Sequence, residues 1–220
     1  MSVAATFVEV AARAGLTLAI PPDASSHCCG MPYSSKGLNA AHAIAANRTI
    51  EWLWSASKDG RLPIVTDTSP CTYSLTSGDG LTPENRDRRA RLRIVDGLEY
   101  FATHVLPQLS IVQQPGVVTV HPVCSLVKLG RTDHLMAIAA ACSESVFVPV
   151  STGCCGFAGD RGWLVPELTA SATHGMAEEV RSRELRGQYS SSRTCEIGMS
   201  RATGRPYRSW IYLLELASRS

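Results

Sequence analysis

Seven of the eight cysteines in this 220-residue chain fall into a pattern that could do chemistry. Two adjacent pairs, Cys28-Cys29 and Cys154-Cys155, are each followed by a glycine, Gly30 and Gly156. Single cysteines follow at Cys71 and Cys195, and Cys124 lies 30 positions before Cys154. Thiolates are soft ligands that favour iron–sulfur clusters, zinc and copper(I). Neighbouring cysteines do not readily bridge to each other. Their Cα atoms sit about 3.8 Å apart, whereas a disulfide wants roughly 4.4–6.8 Å. Two neighbouring thiolates can, however, reach two metals of one cluster. A glycine beside them lets the backbone approach inorganic sulfur and donate N–H groups to it. Cys124, Cys154, Cys155 and Cys195 supply four ligands, enough for one cluster. Cys28, Cys29 and Cys71 supply three. The eighth cysteine, Cys142, ends the run Ala139-Ala140-Ala141 and reads as a small buried apolar residue. His27 and His121 read as satisfied or supporting histidines, or as replacements for a missing ligand. Asp160 and Arg161 form either a local ion pair or part of the site.

The elements that must position these residues alternate between helix and strand. Helical spacing covers Ser2 to Ala14, Leu38 to Lys58, Ile94 to Leu106, Ser125 to Cys142, Pro166 to Leu185 and Arg208 to Ala217. Short apolar runs at Leu16 to Ile20, Leu62 to Asp67, Val117 to Val120 and Val146 to Val150 read as buried strands. This alternation predicts an α/β fold of mostly parallel sheets covered by helices. In such folds functional groups gather beyond the carboxyl ends of strands. Cys28, Cys71, Cys124 and Cys154 each lie a few residues past a predicted strand.

The chain also repeats itself. His27-Cys28-Cys29-Gly30 matches Gly153-Cys154-Cys155-Gly156 at an offset of 126 positions, and Cys71 matches Cys195 at an offset of 124. An offset this stable points to a duplicated unit. The expectation is two related Rossmann-like halves, residues 1–110 and 111–220, each carrying a cysteine-cysteine-glycine (CCG) motif. A counterpart of Cys124 would fall just before Met1, so the first half reads as incomplete at its N-terminus.

Composition is that of an ordinary globular chain, 45% hydrophobic and 18% charged, with a formal net charge of +2. The arginines from Arg86 to Arg93 are interleaved with Asp87 and apolar residues, which reads as a solvated helix face and not as a nucleic-acid surface. No apolar run reaches the roughly 18 residues of a membrane span, and the first residues lack the basic start of a secretion signal. A cytoplasmic place follows as the expectation, with attachment to the inner membrane face as its variant. In a reducing compartment, clustered cysteines bind metal or do redox chemistry more often than they form disulfides.

Longer motifs carry a family resemblance. Cys-Cys-Gly-Phe-Ala-Gly-Asp-Arg-Gly at 154–162, Pro-Glu-Leu-Thr-Ala-Ser-Ala at 166–172, Arg-Thr-Cys-Glu-Ile-Gly-Met at 193–199 and Ala-Thr-Gly-Arg-Pro-Tyr at 202–207 are the first set. His-Cys-Cys-Gly-Met-Pro-Tyr-Ser-Ser-Lys-Gly at 27–37 and His-Pro-Val-Cys-Ser at 121–125 join them. Together they resemble the C-terminal iron–sulfur region of FAD-linked D-lactate dehydrogenases. More broadly the chain resembles the cysteine-rich CCG domain found in the iron–sulfur subunit of glycolate oxidase and in heterodisulfide reductase. The resemblance implies an oxidoreductase module that binds a [4Fe-4S] cluster through Cys124, Cys154, Cys155 and Cys195, with Cys28, Cys29 and Cys71 as a degenerate first set. It implies FAD on an upstream or partner region, a quinone or cytochrome as electron acceptor, and no catalytic residue in this chain itself. Glu196-Ile197-Gly198 and Thr72-Tyr73-Ser74 depart from the family's second Cys-x-x-Cys cysteine, which argues against a five-cysteine cluster. The rivals are a structural zinc site, which is tetrahedral and redox-silent, and a thiol or heterodisulfide redox site at the paired cysteines.

Overall fold

A computed structural model describes residues 1–219. The chain is mixed α/β with two parallel sheets, of two and four strands. It divides into two compact units. The smaller is Ala19–Gly97, and the larger joins Met1–Leu18 to the chain from Leu98 onward. The first helix therefore belongs with the C-terminal part of the chain, and no unit boundary falls at 110.

In chain order, α1 (Val3–Arg13) opens the larger unit. Ser2 accepts a hydrogen bond from the Ala5 N–H as its N-cap, and Phe7, Val10 and Ala11 form its buried face. The smaller unit follows with α2 (Met31–Ser34), α3 (Asn39–Ala56), β1 (Ile64–Thr66), α4 (Ser69–Ser77), α5 (Pro83–Arg91) and β2 (Ile94–Asp96). Its two strands pair in parallel, Val65 opposite Val95. Ile50, Leu53, Leu75, Leu81 and Leu92 form its core, with Cys29 among them.

The larger unit resumes with α6 (Gly97–Tyr100), which runs on as one π turn and one 3₁₀ turn to Gln108. Then come β3 (Gln114–His121), α7 (Cys124–Lys128), α8 (Thr132–Cys142), β4 (Ser143–Phe147), α9 (Arg161–Leu164), α10 (Pro166–Arg181), β5 (Gly187–Ser190), α11 (Arg193–Thr203), β6 (Tyr207–Ser209) and α12 (Ile211–Ala217). The sheet order is β4-β3-β5-β6, parallel throughout. Val118 and Val120 of β3 are sealed between α8 and the terminal helices by Phe7, Phe101, Ile138, Trp210 and Leu214. The crossover from β3 leads to β4 on one side, and that from β5 leads to β6 on the other. Adjacent strands whose connections depart in opposite directions open a crevice at their carboxyl ends.

Several expected elements change. Leu16 to Ile20 forms no strand. Leu16 and Leu18 lie against the larger core in extended chain, and the Pro21-Pro22 pair withholds two backbone donors. The helix expected from Ile94 starts as strand β2, and the one expected from Arg208 starts as strand β6. Both short strands are held by parallel neighbours that local periodicity does not reveal. The helix expected over Ser125 to Cys142 breaks into α7 and α8 at Gly130, whose φ is +66°. Cys142 is fully buried, as its alanine context implies, and burial pushes its thiol up to about 12.

The core predicts a direct stability test. Ile138 is fully buried and Val127 is 56% exposed. Ile138→Ala should cost about 2–5 kcal/mol in urea unfolding, whereas Val127→Ala should stay within about 0.5 kcal/mol.

Candidate metal or redox centre

Three strand ends of the larger unit deliver the four thiols. β3 and β5 run side by side, and their last residues, His121 and Ser190, are register partners. The His121 ring is buried between the end of β5 and the turn after β4. Its Nε2 lies 3.1 Å from the Gly153 carbonyl and its Nδ1 lies 3.2 Å from Ser190 Oγ. A carbonyl can only accept, so Nε2 carries the proton and Nδ1 the lone pair; the one Ser190 hydroxyl proton lies 3.2 Å, oxygen to acceptor, from both that lone pair and the His121 carbonyl. Burial holds the ring below its ordinary pKa, in the neutral form that this arrangement needs. His121 thus ties the start of the CCG turn to the end of the central strand.

Beyond these ends, Cys124 is the first residue of α7 and Cys195 the third residue of α11. Cys154 and Cys155 lie in the turn after β4. Gly156 has φ +70°, and its N–H lies 3.4 Å from Cys154 Sγ. A Cβ there would stand 2.6 Å from the Leu168 carbonyl oxygen, so only glycine fits. On the inner side, Gly198 of α11 packs under Phe157 and Thr169, 3.3 and 3.4 Å from a Cβ added there, with Cys155 beside them.

The sulfurs form one connected group. Cys155 and Cys195 are buried with their Sγ atoms 2.9 Å apart. Cys154 and Cys124 are exposed to solvent. Hydrogen bonds from the Cys124 and Cys155 thiols, and from the Gly156 N–H, hold Cys154 far below the usual thiol range. The partners shift the other way. Cys124 is pushed up by its bond to Cys154 and by burial, and Cys155 by its bonds to Cys154 and Cys195. One negative charge is therefore concentrated on Cys154, with the neutral thiols of Cys124 and Cys155 beside it.

The smaller unit repeats this frame. Gly30 has φ +83° and its N–H lies 3.5 Å from Cys28 Sγ. Cys71 is the third residue of α4, as Cys195 is of α11. The Cys71 thiol hydrogen-bonds to Cys29 and lowers it to about 6, while Cys71 itself is raised. No fourth cysteine joins them: the place that β3 and Cys124 fill in the larger unit has no counterpart within Ala19–Gly97. His27 does not fill the gap. Its ring stacks on Trp52 at 4.4 Å, with Nε2 3.7 Å from Asp23. Arg193, two residues before Cys195, donates to Glu196.

Four cysteines do follow strands, but the set differs from the expected one. Cys71, Cys124, Cys154 and Cys195 follow β1, β3, β4 and β5, whereas Cys28 follows none. Sequence reasoning misses the strand leading to Cys195 because Gly-Gln-Tyr-Ser carries no apolar run. It misses Ser190 as well, since no motif marks the bond to His121.

Compared with known proteins, the chain matches no family model and no curated protein. Among the described residues, no helix is long and apolar enough to cross a membrane. Nor is any group of three or more His, Cys, Asp or Glu side chains placed to hold a metal ion. Tetrahedral zinc at about 2.3 Å from each sulfur would set the sulfurs about 3.8 Å apart. Cys155 and Cys195 are closer than that, and closer still than two ligands on separate irons of a cluster would stand, so the sulfurs as placed enclose neither one ion nor a cluster. The donor chemistry, four soft thiols converging from three strand ends around a glycine turn, is of the type that sulfur-bridged clusters and zinc both take.

Two outcomes follow. In metal-free protein, iodoacetamide should label Cys154 first and the buried Cys142, Cys155 and Cys195 last, as read by peptide mass spectrometry. Because Cys154 is already a thiolate at pH 6, its rate should stay nearly level up to pH 8.5, where an ordinary thiol gains about tenfold per pH unit. Separately, Gly156→Ala should lower stability by about 1–3 kcal/mol, while Gly153→Ala, whose nearest neighbour would be 4.0 Å away, should stay within about 1 kcal/mol.

Proposed function

We propose that this chain is an iron–sulfur electron-transfer module, the C-terminal part of an FAD-dependent D-lactate or D-2-hydroxy acid dehydrogenase. One observation carries the reading. The adjacent pair Cys154-Cys155 meets Cys124 and Cys195 at the crevice where β3 and β5 send their connections in opposite directions. The motif resemblance agrees with it. Cys124, Cys154, Cys155 and Cys195 would hold a [4Fe-4S] cluster, which when bound supplies one-electron transfer.

The rest is done by the chain's own residues. Phe157, fully buried beside the turn, keeps water from the Cys155 side. His121 fixes the Gly153 carbonyl and so the entry to the turn. The Gly156 N–H stabilises negative charge on the Cys154 sulfur. Cys124 and Cys154 lie on the solvent side, which makes that edge the exit for electrons. Hydride abstraction from the substrate belongs to an FAD-carrying region or partner, and a quinone or cytochrome takes the electrons onward. A cytoplasmic place, with attachment to the inner membrane face as its variant, belongs to the same reading.

The 2.9 Å approach of Cys155 and Cys195 also supports a second reading, a thiol–disulfide site. There the two thiols would give two electrons and two protons to a disulfide oxidant and become joined.

Anaerobic reconstitution of the full chain with iron and sulfide separates these. The proposal predicts about four iron and four sulfide per chain, with a brown, bleachable absorbance. It also predicts loss of both in Cys154→Ala and Cys155→Ala but not in Cys142→Ala. Colourless protein holding zinc or no metal would overturn it. If oxidised glutathione then removed two thiols at Cys155 and Cys195, the second reading would stand.

A further inference from the structure

The smaller unit contains a cavity of about 350 Å³ that the proposed cluster does not use. Small-molecule sites typically enclose about 300–1,000 Å³. Its walls include Met31 and Ser34 of α2, Asn39 and His42 of α3, Tyr73 of α4, and Asp79 in the loop that follows α4.

His42 is the residue that the fold does not explain. Its side chain is 6% exposed, and its Nδ1 has no hydrogen-bond partner. The ring is wedged between two glycines. A Cβ on Gly30 would stand 2.5 Å from Nδ1, and one on Gly80 would stand 3.5 Å from Cδ2. The duplication shows what packing alone requires here. At the same 126-residue offset as the CCG motifs, His42 corresponds to Leu168. Each residue sets its carbonyl oxygen against the CCG glycine, 3.1 Å from a Cβ on Gly30 and 2.6 Å from one on Gly156. The Leu168 side chain is 42% exposed, so the shared frame itself demands no buried polar group at this position, and a buried imidazole without a partner costs stability.

Chemistry fixes what the imidazole offers. Nδ1 faces the Gly30 methylene, where an N–H would find no acceptor, so the lone pair lies there and the proton lies on Nε2. His42 thus presents a hydrogen-bond donor to the cavity. No Lys or Arg lines the cavity, whereas the exposed carboxylate of Asp79 does. A fitting ligand brings an acceptor oxygen to His42 and a positively charged donor to Asp79.

We propose that this cavity binds a small ammonium compound that carries a carbonyl or amide oxygen. The inference does not depend on the cluster reading, because it uses neither the four-thiol site nor any metal.

The test uses the full chain, metal-free, and three probes of matched size: glycylglycinamide (cation), N-acetylglycinamide (neutral) and N-acetylglycine (anion). Binding is read from the His42 signals in long-range imidazole ¹H–¹⁵N correlation spectra. The cation should shift those signals saturably and bind about fivefold tighter than the neutral amide, and the anion should leave them unmoved. Asp79→Asn should bring the cation down to the neutral amide's affinity. His42→Leu, which installs the side chain of the equivalent position in the larger unit, should fold and lose binding, as read by calorimetry. The inference fails if no probe shifts the His42 signals, if the anion binds as well as the cation, or if Asp79→Asn leaves the preference intact.

Discussion

The parallel pairing of β3 with β5 is the constraint from which the rest of the larger unit follows. Parallel neighbours cannot be joined by a tight turn, so each strand must send a long crossover around the sheet. Here one crossover leads outward to β4 and the other outward to β6. The strand ends left between them face a crevice, and their last residues, His121 and Ser190, are hydrogen-bonded across it. That bond sets the relative height of the two loops that carry Cys124 and Cys195. The second bond of the same imidazole, to the Gly153 carbonyl, sets the third loop. A single buried ring therefore governs the spacing of four sulfurs drawn from positions 124 to 195.

The smaller unit shows which parts of this arrangement belong to the repeated frame and which to the proposed cluster. Both units keep a left-handed glycine after the cysteine pair, a backbone N–H on the first sulfur, and a cysteine at the third position of the helix after the next strand. The smaller unit lacks the strand that would carry a fourth cysteine. It also places Ser74, whose hydroxyl donates to the Cys29 carbonyl, at the 124-residue offset from Gly198. The frame thus persists without a full set of thiols, which leaves the two halves free to serve different ends.

Much of this is legible in the sequence, because thiol chemistry and glycine sterics act over a few residues. The pairing of Cys154 with Cys155, the glycine after them, and the 126-residue offset all survive as geometry. What the sequence conceals depends on distant chain. Gly187–Ser190 and Tyr207–Ser209 are strands only because β3 and β5 lie beside them. The run Leu16 to Ile20 has the composition of a strand but no neighbour to pair with. The assignment of α1 to the larger unit is likewise a packing fact, set by Phe7 meeting Phe101 and Trp210. His42 escapes sequence reasoning because one histidine in an alanine-rich helix carries no local signal. Only its burial, its missing partner and its equivalence to Leu168 distinguish it.

The central claim is that Cys124, Cys154, Cys155 and Cys195 act as one ligand set for a sulfur-bridged iron centre. Anomalous diffraction from anaerobically grown crystals, collected on both sides of the iron and zinc edges, tests this most directly. The account predicts iron density, and no zinc density, bounded by those four sulfurs. A zinc peak at the site, or sulfurs joined to one another with no metal between them, would contradict it.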